Sequence, residues 1–105
     1  MPTTSTPSDI AVVGDRLVIS GNLEGQRARV VADGIMFQCR RDGKSPLIID
    51  LSGVEQIDLT GLRALVAVSR YASGQGVEVI FERPAPVVRD SLHRAQLRAS
   101  VTIRD

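Results

Sequence analysis

Leu47-Ile48-Ile49-Asp50-Leu51-Ser52-Gly53-Val54, followed by Ile57-Asp58-Leu59-Thr60-Gly61-Leu62, is the stretch on which the fold turns. Leu47 to Leu51 is an apolar run of strand length, closed by the turn-forming pair Ser52-Gly53. An acid and a hydroxyl, Asp58 and Thr60, then stand at the mouth of a helix. The spacing of Leu62, Leu65, Val66 and Ser69 carries that helix from about Gly61 to Ser73, and Gly74-Gln75-Gly76 stops it. This layout presents Asp58 and Thr60 together on a surface loop. A hydroxyl there can be a helix cap, a nucleophile or a phosphorylation site.

Working outward, Ile10 to Val13 and Leu17 to Ser20 flank Gly14-Asp15 and read as a β-hairpin with a tight turn. Gly21-Asn22-Leu23-Glu24-Gly25 forms a loop into a helix of about four turns, in which Ala28, Val31, Ala32, Ile35 and Cys39 share one face. Arg40, Arg41 and Lys44 lie near its C-terminal end, where cations favour the helix dipole, and Asp42-Gly43 ends it. Downstream, Val77 to Glu82 alternates, with Val77, Val79 and Phe81 on one face and glutamates on the other, so the sheet is expected to be covered mainly on one side. Pro84 and Pro86 open a third helix with Val88, Leu92 and Ala95 inward, and Val101 to Ile103 adds a last strand. Strands alternating with helices imply an α/β domain with a mixed, mostly parallel sheet, an N-terminal hairpin at its edge and helices packed mainly on one face.

Composition bounds the function. With 105 residues and 43% apolar content, the chain suffices for one domain over residues 10–105, preceded by a polar tail over 1–9 that reads as disordered. Its 13 basic and 12 acidic residues are spread along the chain, without a patch for nucleic acid or a membrane surface. No apolar run exceeds the five residues Ala64 to Val68, and the start lacks the basic and apolar regions of a signal peptide. One Cys and one His exclude a disulfide framework within the chain and a cysteine-histidine metal site. A reduced, cytoplasmic compartment is the simplest expectation, with no cofactor and no metal.

The elements from Gly21-Asn22-Leu23-Glu24 through Leu47–Val54 and Ile57–Leu62 to the Gly74-Gln75-Gly76 stop resemble a STAS domain in order and spacing. The resemblance runs from about Ile10 to Ile103 and is strongest to the stand-alone bacterial anti-sigma factor antagonists. It implies a non-enzymatic regulator of transcription in stress responses that works by partner switching. Such a protein binds an anti-sigma factor that is also a serine/threonine kinase, and so frees a sigma factor. Phosphorylation then releases it, and a phosphatase resets it. In the family the loop reads Asp-Ser-Ser-Gly or a close variant, and the residue before the glycine takes the phosphate. By position that residue is Thr60, with Asp58 as the family's acid, and the implied partner surface comprises Asn22, Glu24, Asp58, Leu59, Thr60, Gly61 and Arg63. Leu59 replaces the usual small hydroxyl residue, and Glu24 stands where the family commonly has Asp.

Thr60 also reads as the N-cap of its helix, a role compatible with later phosphorylation. A phosphate in the first helical turn adds nearly two negative charges where backbone N–H groups point outward. The loop glycine, Gly61, is expected to leave room for a kinase. Asp50, near the end of its strand, resembles the acceptor of a receiver domain. The acidic pair and late lysine that receivers need are missing, so Asp50 reads as a structural ligand of loop amides. Ser52 reads as turn chemistry, His93 as a solvated helix residue and Cys39 as a small core residue. Val30 and Phe37, seven apart with Gly34 between, form an outward apolar patch suited to a weak homodimer. The alternative function is a ligand-sensing STAS module for a nucleotide or small apolar molecule, without a phospho-switch, for which Leu59 is the best support.

Overall fold

The computed structural model describes residues 10–95 and 102–105. β1 (Ile10–Val13) and β2 (Arg16–Ser20) form the hairpin, α1 (Gly25–Asp42) follows, and β3 (Leu47–Gly53) leads to α2 (Leu59–Gly74). β4 (Val79–Glu82), α3 (Pro86–Ala95) and β5 (Thr102–Arg104) complete the chain. The strands lie side by side in sequence order, β1 antiparallel to β2 and each later neighbour parallel.

Period-two alternation decides which face is dry. Leu17 and Ile19 of β2, Ile49 and Leu51 of β3, and Val79 and Phe81 of β4 are buried together with Ala28, Val31, Ala32, Ile35 and Cys39 of α1. Leu65, Val68 and Ala72 of α2 and Val88 and Leu92 of α3 join the same core. Removing this apolar surface from water is the main force that holds helices to sheet, and it acts on one face, as the alternation predicts.

The opposite face carries ions. Asp50, Glu82 and Arg104 occupy one row across β3, β4 and β5. Glu82 is almost inaccessible and accepts from Arg16 Nε at 2.7 Å and Arg104 Nε at 3.0 Å. Such a carboxylate tolerates its position because it is paired. Hydrogen bonds from Arg16 first and Arg104 second lower its pKa from 4.5 to about 2. Asp50 accepts from the Ser52 amide at 2.8 Å and pairs with Arg83, which is the structural role expected of it.

Several boundaries differ from the sequence reading for identifiable reasons. α1 is 18 residues long, close to five turns, and ends at Gly43, whose left-handed φ of 60° directs its N–H to the Cys39 carbonyl. α2 starts at Leu59 rather than Gly61, because its cap is Asp58. β4 starts only at Val79, since the Val77 N–H is taken by the Ala72 carbonyl at 2.8 Å in closing α2, though Val77 stays buried. Ala95 is half-buried rather than in the core. β5 is displaced by one residue from the expected strand, of which Val101, like the tail over 1–9, lies outside the described residues. Val30 and Phe37 are 58% and 51% exposed, as expected. Gly34 is not open surface, however: a Cβ there would meet Ile10 Cδ1 at 2.6 Å, so β1 packs against the helix between the two exposed side chains. No helix among the described residues is long and apolar enough to cross a membrane.

Candidate functional site

The ends of β2 and β3 deliver two helix N-termini to the same place. Beyond β2, Leu23 pairs with Ile57 in an isolated parallel bridge, with Leu23 N–H donating to Gln56 O at 3.0 Å and Asp58 N–H to Leu23 O at 3.2 Å. Asn22 strengthens this clasp, its side-chain oxygen accepting from the Gln56 amide at 3.2 Å. Arg27 ties down the preceding turn by donating to the carbonyls of Ser20 and Asn22.

Asp58 joins the two helices. One carboxylate oxygen accepts from Gly61 N–H at 2.7 Å, which caps α2, and the other accepts from Gly25 N–H at 3.0 Å at the start of α1. Gly25 adopts φ 55°, a left-handed conformation that glycine enters without steric cost. Glu24 precedes it as the backbone N-cap of α1 but makes no side-chain cap bond, so Asp58 supplies from α2 what Glu24 does not. The Gly61 amide, then the Gly25 amide, hold the Asp58 pKa below the ordinary carboxylate value. Two positive helix ends favour the same charge. Both oxygens already accept amide hydrogens, so Asp58 acts as a fixed anion rather than as a proton carrier.

This corrects two expectations. The cap of α2 is Asp58, not Thr60, which is the second residue of the helix. Gly61 is buried, and its missing side chain makes room within the fold rather than for an approaching kinase. A Cβ at Gly61 would lie 2.1 Å from the Leu23 carbonyl oxygen and 2.8 Å from Ile57 Cγ1.

Of the other residues singled out, Asn22, Glu24, Asp58 and Leu59 are exposed around this junction, Leu59 at 60%. Thr60 is half-buried and lines a depression of about 440 Å³ with Gly25, Gln26, Arg29, Val30 and Asp33 of α1. Arg63 is exposed one turn further along α2, toward α3. The part of Gly25 and the nearness of Arg29 to Thr60 were missed in the sequence. Gly25 and Asp58 stand 33 residues apart, and no local pattern relates them. Among the described residues no three of His, Cys, Asp and Glu come together as metal ligands.

The STAS-domain family model matches residues 10–105. The chain belongs to the STAS-domain family. Among solved structures, this STAS domain is similar to TM1081 of Thermotoga maritima, assigned as an anti-sigma factor antagonist, with a TM-score of 0.73 and 22% identity over 91% of this chain and 84% of that one. It is also similar to the anti-sigma factor antagonist SpoIIAA in its unphosphorylated form, with a TM-score of 0.67 and 15% identity over 91% of this chain and 86% of the other. A murine anion transporter, Slc26a9, matches 87% of this chain with a TM-score of 0.63 and 19% identity, but over only 16% of its own length. At these identities the likenesses establish the fold. A comparison with curated proteins finds no match.

Proposed function

We propose that this STAS domain is an anti-sigma factor antagonist that binds an anti-sigma factor kinase in the cytoplasm and is released by phosphorylation of Thr60. The observation that carries the reading is the Asp58 junction, which gathers Glu24, Asp58, Leu59 and Thr60 at two adjoining helix N-termini. Membership of the STAS family and the likeness to two solved proteins of that description support it.

In the switch, Thr60 Oγ1 attacks the γ-phosphorus of ATP. The hydroxyl proton leaves, ADP departs and a phosphothreonine remains. Nearly two negative charges then join Asp58 and Glu24. They sit in the first turn of α2, where helix-end amides favour an anion, so the fold accommodates a group that a partner does not. Like-charge juxtaposition at an interface costs several kcal/mol, on the order of a hundredfold or more in affinity. A phosphatase that hydrolyses the ester restores the hydroxyl and the binding surface.

The test is incubation with ATP and candidate anti-sigma kinases, followed by mass-spectrometric site mapping and a binding titration of both forms. Phosphate on Thr60 with loss of binding is expected. Phosphate on Ser52, or on no residue with a kinase that demonstrably binds, would overturn the reading.

A further inference from the structure

The exposed and half-buried stripe of α2 does not have the polar character of a solvated helix face. Leu59, Leu62, Arg63, Val66, Ala67 and Arg70 recur at helical spacing. With Arg94 and Ala95 at the end of α3, they line a groove of about 590 Å³. The residues that α2 buries fully are a different set, Gly61, Leu65, Val68, Ser69 and Ala72, although Leu62 also packs against the edge of the core. Leu62 and Val66 are left half-buried and Leu59 exposed.

The lining has two chemistries. Its floor is aliphatic, and its edges carry the guanidinium groups of Arg63 and Arg94, with no carboxylate among the described lining residues. The volume falls in the range of small-molecule sites, roughly 300–1,000 Å³. Among the described residues no aromatic ring lines the groove to stack a base, and no glycine-rich turn borders it to cradle a chain of phosphates. An aliphatic trough edged by cations suits a molecule with an apolar body and one anionic end, which arginine binds through paired N–H donors.

We propose that the groove between α2 and α3 binds a single-chain aliphatic anion, its tail along Leu62, Val66 and Ala67 and its head at the arginine edge. The site is separate from the phosphorylation of Thr60 and survives or fails independently of it. Leu59 ends the groove and immediately precedes Thr60, so an occupied groove changes the surface that a partner reads beside the switch.

The experiment titrates the full chain with octanoate, decanoate, decyl phosphate, decanol and acetate below their micellar concentrations. It follows heat by calorimetry and amide shifts by NMR. Saturable decanoate binding is expected, with the largest shifts over residues 62–67 and 94–95. The two-carbon step from octanoate tightens it about tenfold, acetate does not bind, and decanol binds more weakly. A preference for decanoate over decyl phosphate assigns the head as a carboxylate, and the reverse assigns it as a phosphate. Arg63→Gln combined with Arg94→Gln should weaken decanoate at least tenfold without moving the melting temperature. The shift map of the unsubstituted chain decides the matter should that variant fold poorly. Absence of saturable binding, affinity indifferent to chain length, or shifts centred elsewhere would overturn the proposal.

Discussion

Two glycines of the same helix should respond to the same substitution with opposite signs. An alanine at Gly61 places its Cβ 2.1 Å from the Leu23 carbonyl oxygen, far inside contact distance and against backbone rather than a movable side chain. Forcing an extra carbon into a packed site costs about 1–3 kcal/mol. Displacing the Leu23 carbonyl also loosens its hydrogen bond from Asp58 N–H, worth about 1 kcal/mol. Against these stands the helix preference for Ala over Gly, about 1 kcal/mol. The balance is a loss of about 2 kcal/mol, or roughly 10 °C in melting temperature for a domain of this size. At Gly74, the last residue of α2, a Cβ meets nothing within 4 Å and φ is not left-handed. There Gly74→Ala should gain a few tenths to about 1 kcal/mol by restricting the unfolded chain. Urea and thermal unfolding of both variants measure the difference directly. A Gly61→Ala protein as stable as the parent would refute the close approach of the Leu23 strand to α2, and with it the geometry of the Asp58 junction.

Thr60→Ala should abolish phosphorylation and keep the protein in its partner-binding form, and because Asp58 supplies the cap its melting temperature should match the parent's; a marked drop would return the cap to Thr60. Glu24→Lys should weaken partner binding while changing stability by less than about half a kcal/mol, and unaltered affinity in a pull-down titration would remove this loop from the interface. Phe37→Ser should leave folding intact, since the ring is 51% exposed; sedimentation shows whether the exposed pair with Val30 holds two copies together, and a loss of several kcal/mol, of the order for a buried aromatic, would contradict its placement. Glu82 has a folded pKa lowered from 4.5 to about 2, so its pairing stabilises the protein fully above pH 4.5 and is lost as pH falls toward 2. Glu82→Gln should flatten the decline of melting temperature across that window, and identical pH profiles would refute the pairing with Arg16 and Arg104.

Much of this protein could be read from its residues one after another. The alternation of Val77, Val79 and Phe81 and the helical spacing of Ala28, Val31, Ala32, Ile35 and Cys39 named the core face of each element. Periodicity is a local property, set by two residues per pleat and 3.6 per turn. Gly43 and Gly74-Gln75-Gly76 marked helix ends for the same reason, and the order of strands and helices announced the α/β class. What tertiary structure alone decided lies in contacts between residues distant along the chain. Asp58 reaching the Gly25 amide on α1, Gly61 yielding space to the Leu23 carbonyl, and Glu82 held between Arg16 and Arg104 join positions from 22 to 66 residues apart. The sequence reading assigns the cap to Thr60, because its hydroxyl offers an oxygen at the helix start, whereas the cap is Asp58. One oxygen of Asp58 takes the Gly61 amide three residues on, and the other reaches an amide on α1 that exists at that spot only after both helices have packed on the sheet.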